Sequence, residues 1–461
     1  MDEDAPRGQA TIVAPATPPG IGAVSIVRLS GPRAFEIARR LTGLDPVAAL
    51  PRSLLRCEVR GEGGEAIDEG LAAFFPAPRS FTGEDLVEIH LHGNPLLVDR
   101  AASAACALGA VPAAPGEFSR RAFQNAKMDL AQAEALADLI AATTDAAAQA
   151  ALRQLRGAIG EAVAPLRGRV RDLLVFLEAT IDFSDEEGVP EAGAPQLQER
   201  ISEIRSALAP LIASYARGHR VRDGATVVIA GVANVGKSKL LNRLLGEERA
   251  IVTEVPGTTR DFLSGDIVCG GIAVRLVDTA GLRETSDPVE REGVRRSREI
   301  VAAADLTLFL LDGSRPAHEG DRAAYAEVAD RPHLLLLNKR DLPSAEAGGA
   351  FAGRGLRGTL SLSAKTGEGV EALLPAVARE LLPAAGAIMA EAPLTRLRQV
   401  EAARRADEAL SRAADAVREG LPVECVAADA REAAQALSEL TGEIAPEEVL
   451  DAIFGSFCIG K

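Results

Sequence analysis

Eight residues, Gly231-Val232-Ala233-Asn234-Val235-Gly236-Lys237-Ser238, have the types and spacing to hold a chain of phosphates. Glycines in the turn let successive backbone N–H groups point inward, which makes an anion-binding hollow at a helix N-terminus. Lys237 can reach the outer phosphates, and the Ser238 hydroxyl can hold Mg²⁺. The apolar run Val227-Val228-Ile229-Ala230 precedes the turn, and Leu240-Leu241-Asn242-Arg243-Leu244-Leu245 follows it. That is the strand–turn–helix order of a nucleotide hydrolase.

Further motifs select the base. Asn338-Lys339-Arg340-Asp341 follows the apolar run Leu334 to Leu337, which places it at the C-terminal end of a buried strand, where open α/β sheets bind ligands. An aspartate there can accept both N–H groups of a guanine edge, which adenine cannot supply. Ser363-Ala364-Lys365 follows the short strand Thr359 to Leu362 and fits a loop closing over the base. Asp278-Thr279-Ala280-Gly281 ends the strand Ile272 to Val277. It offers a carboxylate to the metal's water shell and a glycine N–H to the γ-phosphate. Four such elements in this order imply a GTP-binding domain, with Asn234 to Lys239, Asp278 to Gly281, Asn338, Lys339, Asp341 and Ser363 to Lys365 about the nucleotide.

Two features constrain hydrolysis. Ras-like proteins place a water-orienting glutamine after the Asp-Thr-Ala-Gly element; here that residue is Leu282, which has no hydrogen-bonding group. Glu290, in the acidic stretch after Glu284, is one candidate to position the water, though from the residues alone the preferred reading is a solvated glutamate on a mobile switch segment. Asn234 is the second feature. Its side-chain oxygen beside the phosphates, with backbone carbonyls from Thr253 to Thr258, can hold a monovalent cation that neutralises transition-state charge as an arginine finger does. Within Gly257-Thr258-Thr259-Arg260-Asp261, Thr259 is suited to complete the Mg²⁺ shell.

The elements that must carry these groups change texture along the chain. Residues 11 to about 125 read as mixed α/β, with strands such as Ala23 to Leu29 and Leu86 to Leu91. From Leu130 to about Phe183, Ala, Leu, Gln and Arg recur at helical spacing, with Thr144-Asp145 as an internal N-cap. Gly188-Val189-Pro190 breaks that run, and another helix is expected from about Pro195 to Ala216. The nucleotide-binding block follows from about Gly224 to Leu382, with Ser344 to Gly358 as a Gly/Ala-rich surface loop. Helical texture returns over Leu397 to Glu419, Cys425 to Leu440 and Glu447 to Phe454. A GTPase domain inserted into one helical domain accounts for this order. The expected division is 1–125, 126–222, 223–382 and 383–461.

Composition narrows the setting. At 461 residues the chain exceeds a single core. No apolar stretch reaches the roughly eighteen residues of a membrane span, and the acidic start Met1-Asp2-Glu3-Asp4 argues against a secretory signal. Five scattered cysteines without a Cys-x-x-Cys pair fit a reducing cytoplasm. The net charge of −15 disfavours nonspecific nucleic-acid binding, so an RNA partner must meet a local basic surface.

Several stretches together resemble one family. They are Thr11-Ile12-Val13-Ala14, Ala16-Thr17-Pro18-Pro19-Gly20, Phe81-Thr82-Gly83-Glu84-Asp85, Gly116-Glu117-Phe118-Ser119, Asp278 to Glu284 and the terminal Cys458-Ile459-Gly460-Lys461. All look like the tRNA modification GTPase MnmE (TrmE) family, and the resemblance runs from about residue 10 to 461. It implies an α+β N-terminal folate-binding and dimerising domain, a discontinuous all-α helical domain, and an inserted Ras-like α/β P-loop GTPase domain. It implies a cytoplasmic homodimer working with a flavin-dependent partner, MnmG, which carries the FAD, in a heterotetramer or larger complex. The pair would add an aminomethyl or carboxymethylaminomethyl group to C5 of the wobble uridine of certain tRNAs, with 5,10-methylene-tetrahydrofolate as carbon donor.

The resemblance carries residue roles too. Arg28, Glu88, Lys127 and Lys461 match folate-contacting positions. Asn234, Thr253, Val255 and Thr258 match potassium ligands, and Ser238 and Thr259 match Mg²⁺ ligands. Glu290 falls on the water-positioning glutamate. From the residues themselves, Cys458 reads either as part of a frayed tail, the usual case near a terminus, or as a catalytic thiol whose acidity Lys461 would raise. The chain departs from the family at Ile21, usually arginine, at Asn94, usually glycine, and at Lys239, usually serine. Two other readings are a GTPase switch that assists ribosome assembly, which calls for a basic RNA-binding domain, and a folate-dependent transferase merely regulated by GTP.

Overall fold

A computed structural model describes residues 10–182, 193–247, 264–278, 303–344, 351–382, 394–444 and 446–460. The chain forms two compact units: Met1–Ala137 with Leu155–Arg171 and Ala434–Lys461, and Asp138–Gln154 with Asp172–Ala433.

The first unit is built on strands β1 (Ile12–Pro15), β2 (Gly22–Ser30), β3 (Leu55–Arg60), β4 (Ala66–Phe75), β5 (Leu86–Gly93) and β6 (Val111–Pro112). Their order in the sheet is β3-β4-β5-β2-β1-β6, antiparallel except for the β1–β6 pair. Helices α1 (Ala34–Thr42) and α2 (Pro95–Ala107) supply Ile37, Leu41, Val98 and Ala101 to a core with Val27, Leu29, Val87, Ile89 and Phe74 of the sheet. Side chains alternate across a strand. Because Val27, Leu29, Val87 and Ile89 face the core, Arg28 and Glu88 must face away from it, and register sets them opposite each other. Helix α3 (Glu117–Gln124) follows the sheet.

The helical run expected from Leu130 to Phe183 is three helices: α4 (Leu130–Ala141), α5 (Asp145–Leu155) and α6 (Ala158–Asp182). Thr144 caps α5 as expected, its Oγ1 accepting from the Ala147 N–H at 3.2 Å. The proposed break at Gly188-Val189-Pro190 lies outside the described residues. Helix α7 (Ala194–Asp223) runs past the expected end at Ala216. Its polar last turns look like a loop in sequence, yet Val221 packs into the core of the second sheet and keeps the helix going to Gly224.

The second unit holds β7 (Ala225–Ala230), α8 (Lys237–Glu247), β8 (Ser264–Cys269), β9 (Ile272–Asp278), β10 (Leu306–Asp312), α9 (Glu319–Ala326), β11 (His333–Asn338), β12 (Leu356–Ser361) and α10 (Leu373–Leu381). The sheet order is β12-β11-β10-β7-β9-β8, parallel apart from the β8–β9 hairpin. Near-continuous apolar strands such as Leu306–Asp312 fit a parallel sheet buried on both faces. Leu240, Leu244, Leu373 and Val377 cover one side, and Tyr325, Val328 and Phe351 the other. Residues 356–358, expected within a surface loop, instead begin β12, whose alternating burial is that of an edge strand with a weak apolar signal.

Helices α11 (Leu397–Glu419), α12 (Val423–Thr441) and α13 (Glu447–Gly455) follow. Ile201, Ile204 and Leu208 of α7 and Ala403, Ala406 and Leu410 of α11 are all buried where these helices run together. Arg205 Nε donates to Asp407 at 2.8 Å along that seam. The architecture is therefore an α+β first part, a P-loop-type α/β sheet, and helices on both sides of that sheet in sequence. Among the described residues, no helix is long and apolar enough to cross a membrane.

Candidate functional site

The phosphate loop leaves β7 at Ala230 and enters α8 at Lys237. Gly236 has φ +105°, and a side chain there would collide with the amide of Asn338. Only glycine lets the loop pass so close to that strand end. Asn234 has φ +62°, a left-handed conformation that asparagine tolerates better than most residues. Lys237 is buried and donates to the carbonyls of Gly231 at 3.0 Å and Val232 at 2.9 Å. The ammonium thus lies within the loop it is expected to serve.

Ser238 Oγ donates to Asp278 Oδ2 at 2.7 Å, and Asp278 is fully buried. Pairing of β7 with β9 brings Asp278 beside Ile229 and so to the loop. Two hard oxygen donors at one point suit Mg²⁺. Thr259, Thr279, Ala280, Gly281 and Glu290 lie outside the described residues, as do Thr253, Val255 and Thr258, so Asn234 is the one member of the expected potassium set with a described position.

At the base end, Asn338 Nδ2 donates to the Val235 carbonyl at 2.6 Å, and Asn338 Oδ1 accepts from the Ala364 N–H at 2.8 Å. This side chain ties the phosphate loop to the loop that closes over the base. Ser363 Oγ donates to Asp341 Oδ1 at 2.7 Å. That hydrogen bond holds the exposed Asp341 carboxyl below the usual carboxylate range, with Lys365 and Lys339 adding to the effect. An ionised acceptor is what a guanine edge requires. These residues line a cavity of about 790 Å³ with Lys237, Ser238, Lys239 and Lys365. Arg243, which the motifs did not single out, holds the closing loop through the carbonyls of Ala364 at 3.1 Å and Lys365 at 2.8 Å. Its place one turn beyond the phosphate loop was the only sequence signal for it.

A second, half-buried cluster lies on the face of the first sheet opposite the α1–α2 core. Arg28 donates through Nε and Nη2 to Glu88 Oε1 at 3.1 and 2.7 Å. Its guanidinium sits 5.7 Å from the ring centres of both Phe81 and Phe118. Arg28 Nη1 also donates to the Gly460 carbonyl at 3.3 Å. Residue 460 is thus seated on Arg28. Gly460 has φ +92°, and any side chain would collide with the Pro15 carbonyl. Phe457 anchors the segment in a core with Leu130, Leu450 and Phe454. Cys458 is exposed. Lys127 does not join the pair; it donates to the Pro78 carbonyl at 3.0 Å, on the loop that carries Phe81. Lys461 lies outside the described residues.

Arg121 explains why two of the N-terminal motifs occur together. It is 3% exposed and donates to both Glu84 oxygens at 3.3 and 3.2 Å and to Glu117 at 2.8 Å. Thr82 and Glu84 in turn meet Ser30 at 2.7 and 2.8 Å. This network fixes the loop that sets Phe81 against Arg28, and no local pattern announced Arg121.

Comparison with known proteins identifies the family. A family model described as the MnmE helical domain matches residues 130–458, and one described as the GTP-binding protein TrmE N-terminus matches 11–127. The chain is 45% identical over 98% of its length to a tRNA modification GTPase MnmE of Alkalilimnicola ehrlichii, covering 99% of that relative. It is 40% identical to the Aquifex aeolicus protein of the same name, over 98% of this chain and 99% of that one. A crystal structure of Era in complex with MgGDPNP and nucleotides 1506–1542 of 16S ribosomal RNA overlaps 40% of this chain and 66% of that chain, at 25% identity and a TM-score of 0.27, too low to argue from. With relatives matched over 98% of its length at 40–45% identity and two family models matching its sequence, the chain belongs to the family of tRNA modification GTPases MnmE.

Proposed function

We propose that this chain, a GTP hydrolase of the tRNA modification family, is potassium-activated and works at two separate places. GTP is bound and hydrolysed at the phosphate loop. One-carbon chemistry on C5 of the wobble uridine takes place about the Arg28–Glu88 pair, with a flavin-dependent partner and a tetrahydrofolate donor. The reading assigns the domains as 1–125 for folate and dimerisation, 126–222 and 383–461 for the helical domain, and 223–382 for GTP.

The observation that carries the second site is the seating of Gly460 on Arg28. The positive φ of Gly460 and the buried Phe457 hold that contact in place, and a ribosome-assembly switch has no use for it. Arg28 and Glu88 offer a charged, hydrogen-bonding floor between two aromatic rings, which suits a flat heterocycle with a polar edge. Lys127 and Lys461 supply positive charge for a carboxylate tail, and the exposure of Cys458 supports its reading as a thiol nucleophile.

At the first site, Asp341 accepts the guanine edge, Lys237 binds the outer phosphates, and Ser238 and Thr259 hold Mg²⁺. When bound, the cations neutralise charge that develops on the transferring phosphoryl group. Asn234 provides a potassium ligand with Thr253, Val255 and Thr258, and Glu290 orients the attacking water in place of the glutamine that Leu282 replaces. Pairing of the two GTP-binding domains of a homodimer would complete the potassium site.

The test is mass analysis of wobble uridines in tRNA from a strain lacking this protein. Complementation with the intact chain should restore the C5 modification, whereas Arg28→Ala and Asp341→Asn should not. Normal wobble uridines in the deletion strain would end this reading.

A further inference from the structure

The nucleotide cavity is lined by Lys339, and behind that lysine stands a buried carboxylate that no motif identifies. Asp312 ends β10 and is the register partner of Asn338, the last residue of β11. It is 9% exposed. Its Oδ2 accepts from Lys339 Nζ at 2.6 Å, and its Oδ1 accepts from the Ser314 N–H at 3.0 Å and Ser314 Oγ at 2.5 Å. Arg315 Nε is 3.7 Å from Oδ2. Burial favours the neutral acid, but the hydrogen bonds from Lys339 and Ser314 outweigh it and keep the carboxyl below its ordinary range. The carboxylate is ionised and aimed.

Lys339 itself is in an unusual position. Its φ of +69° puts it in the left-handed region, and its side chain remains one-third exposed. A lysine carries four flexible carbons and a strongly hydrated tip. Left alone, it would sample many rotamers, and ordering it on nucleotide binding would cost side-chain entropy. With its tip tied to a buried anion, the methylene stem is instead held along the cavity wall.

We propose that Asp312 is a positioning residue for nucleotide binding: it pins Lys339 Nζ so that the lysine stem forms a fixed wall at the base end of the cavity before nucleotide arrives. Asp312 acts through Lys339 and touches no nucleotide. The inference rests on the cavity being the guanine-nucleotide site. A competing role is purely local, since Asp312 also closes the turn through Ser314.

The experiment measures the affinity of the full-length protein for a fluorescent N-methylanthraniloyl GDP, with thermal denaturation in parallel. Asp312→Asn should weaken binding ~10-fold, as losing a charge-assisted hydrogen bond predicts, with little change in Tm. Ser314→Ala should leave affinity unchanged. In a Lys339→Met background, which keeps the stem and removes the tip, Asp312→Asn should cause no further loss. Additive losses in the double variant, unchanged affinity in Asp312→Asn, or a matching loss in Ser314→Ala would each overturn the proposal. A wild-type chain that fails to bind the probe would overturn the nucleotide reading first, and this inference with it.

Discussion

Arg28 and Gly460 are 432 residues apart, and the guanidinium of one donates to the carbonyl of the other at 3.3 Å. The contact joins the second strand of the chain to residue 460 and holds that segment against the sheet. The same guanidinium grips Glu88 with two further N–H groups, so its planar fork is shared between a carboxylate and a carbonyl.

Removal of Cys458 to Lys461 should therefore leave GTP turnover intact and abolish tRNA modification. Arg28→Lys should act in the same sense. An ammonium keeps the charge but cannot reproduce the fork. We expect it to weaken binding of 5-formyl-tetrahydrofolate by about tenfold, in line with loss of a charged hydrogen bond. Equilibrium dialysis of the folate and single-turnover GTP hydrolysis separate the two effects; surviving modification in the truncated chain would remove the tail from the active site.

Arg121 holds Glu84 and Glu117 while only 3% exposed. Replacing it by methionine leaves two carboxylates facing each other without their cation. Removal of one partner from a buried pair costs about 3–5 kcal/mol, and the partial exposure of the two glutamates favours the low end. Urea denaturation followed by circular dichroism should show a loss near about 3 kcal/mol in the first unit. Folate binding should fall with it, because the loop carrying Phe81 loses its anchor. GTP binding should not change.

Potassium should raise GTP hydrolysis steeply relative to sodium in the intact chain, and Asn234→Ala should remove the difference. The expectation follows from an asparagine side-chain oxygen within the phosphate loop and from the family resemblance at that position. Hydrolysis rates in matched KCl and NaCl decide the matter. Equal rates in the two salts for the unaltered protein would sink the cation claim.

Stability of the GTP-binding unit should fall with acid through Asp321. Burial raises its pKa, but Arg315, His318 and the helix N-cap overcome that and leave it below the ordinary value. Arg315 Nη1 donates to it at 2.8 Å, and the carboxylate also accepts from the His318 N–H at 3.1 Å. A depressed folded-state pKa contributes stability that is complete above the unfolded value near ~3.9 and vanishes as pH drops through the folded one. Asp321→Asn should thus lower stability at pH 7 and flatten the acid limb below about pH 4. Denaturation curves from pH 7 to pH 3 check both signs, and an unchanged acid limb would remove Asp321 from the account.

Much of the GTP site was legible in sequence because its chemistry is contiguous. Gly231 to Ser238 need only their own backbone to form a phosphate hollow, and Asn338 and Asp341 sit on one turn after one apolar strand. The helix α7 and the strand β12 were read less well, since the end of each is decided by burial of Val221 and by edge pairing with β11 rather than by periodicity. Glu290 and most of the potassium ligands lie outside the described residues, so their roles remain those of the family resemblance and the proposal built on it.

What the amino-acid sequence determined by itself was therefore local: the glycine-rich turn, the Asn338-to-Asp341 element after its strand, and strands that must be buried on both faces. Tertiary structure alone decided who meets whom across the chain. It put Gly460 on Arg28, joined Glu84 to Glu117 through Arg121, and set Asp312 behind Lys339. Each of these pairings depends on strand register, on helix docking or on a seated terminus. Such contacts arise from packing of distant segments, and no local propensity encodes them.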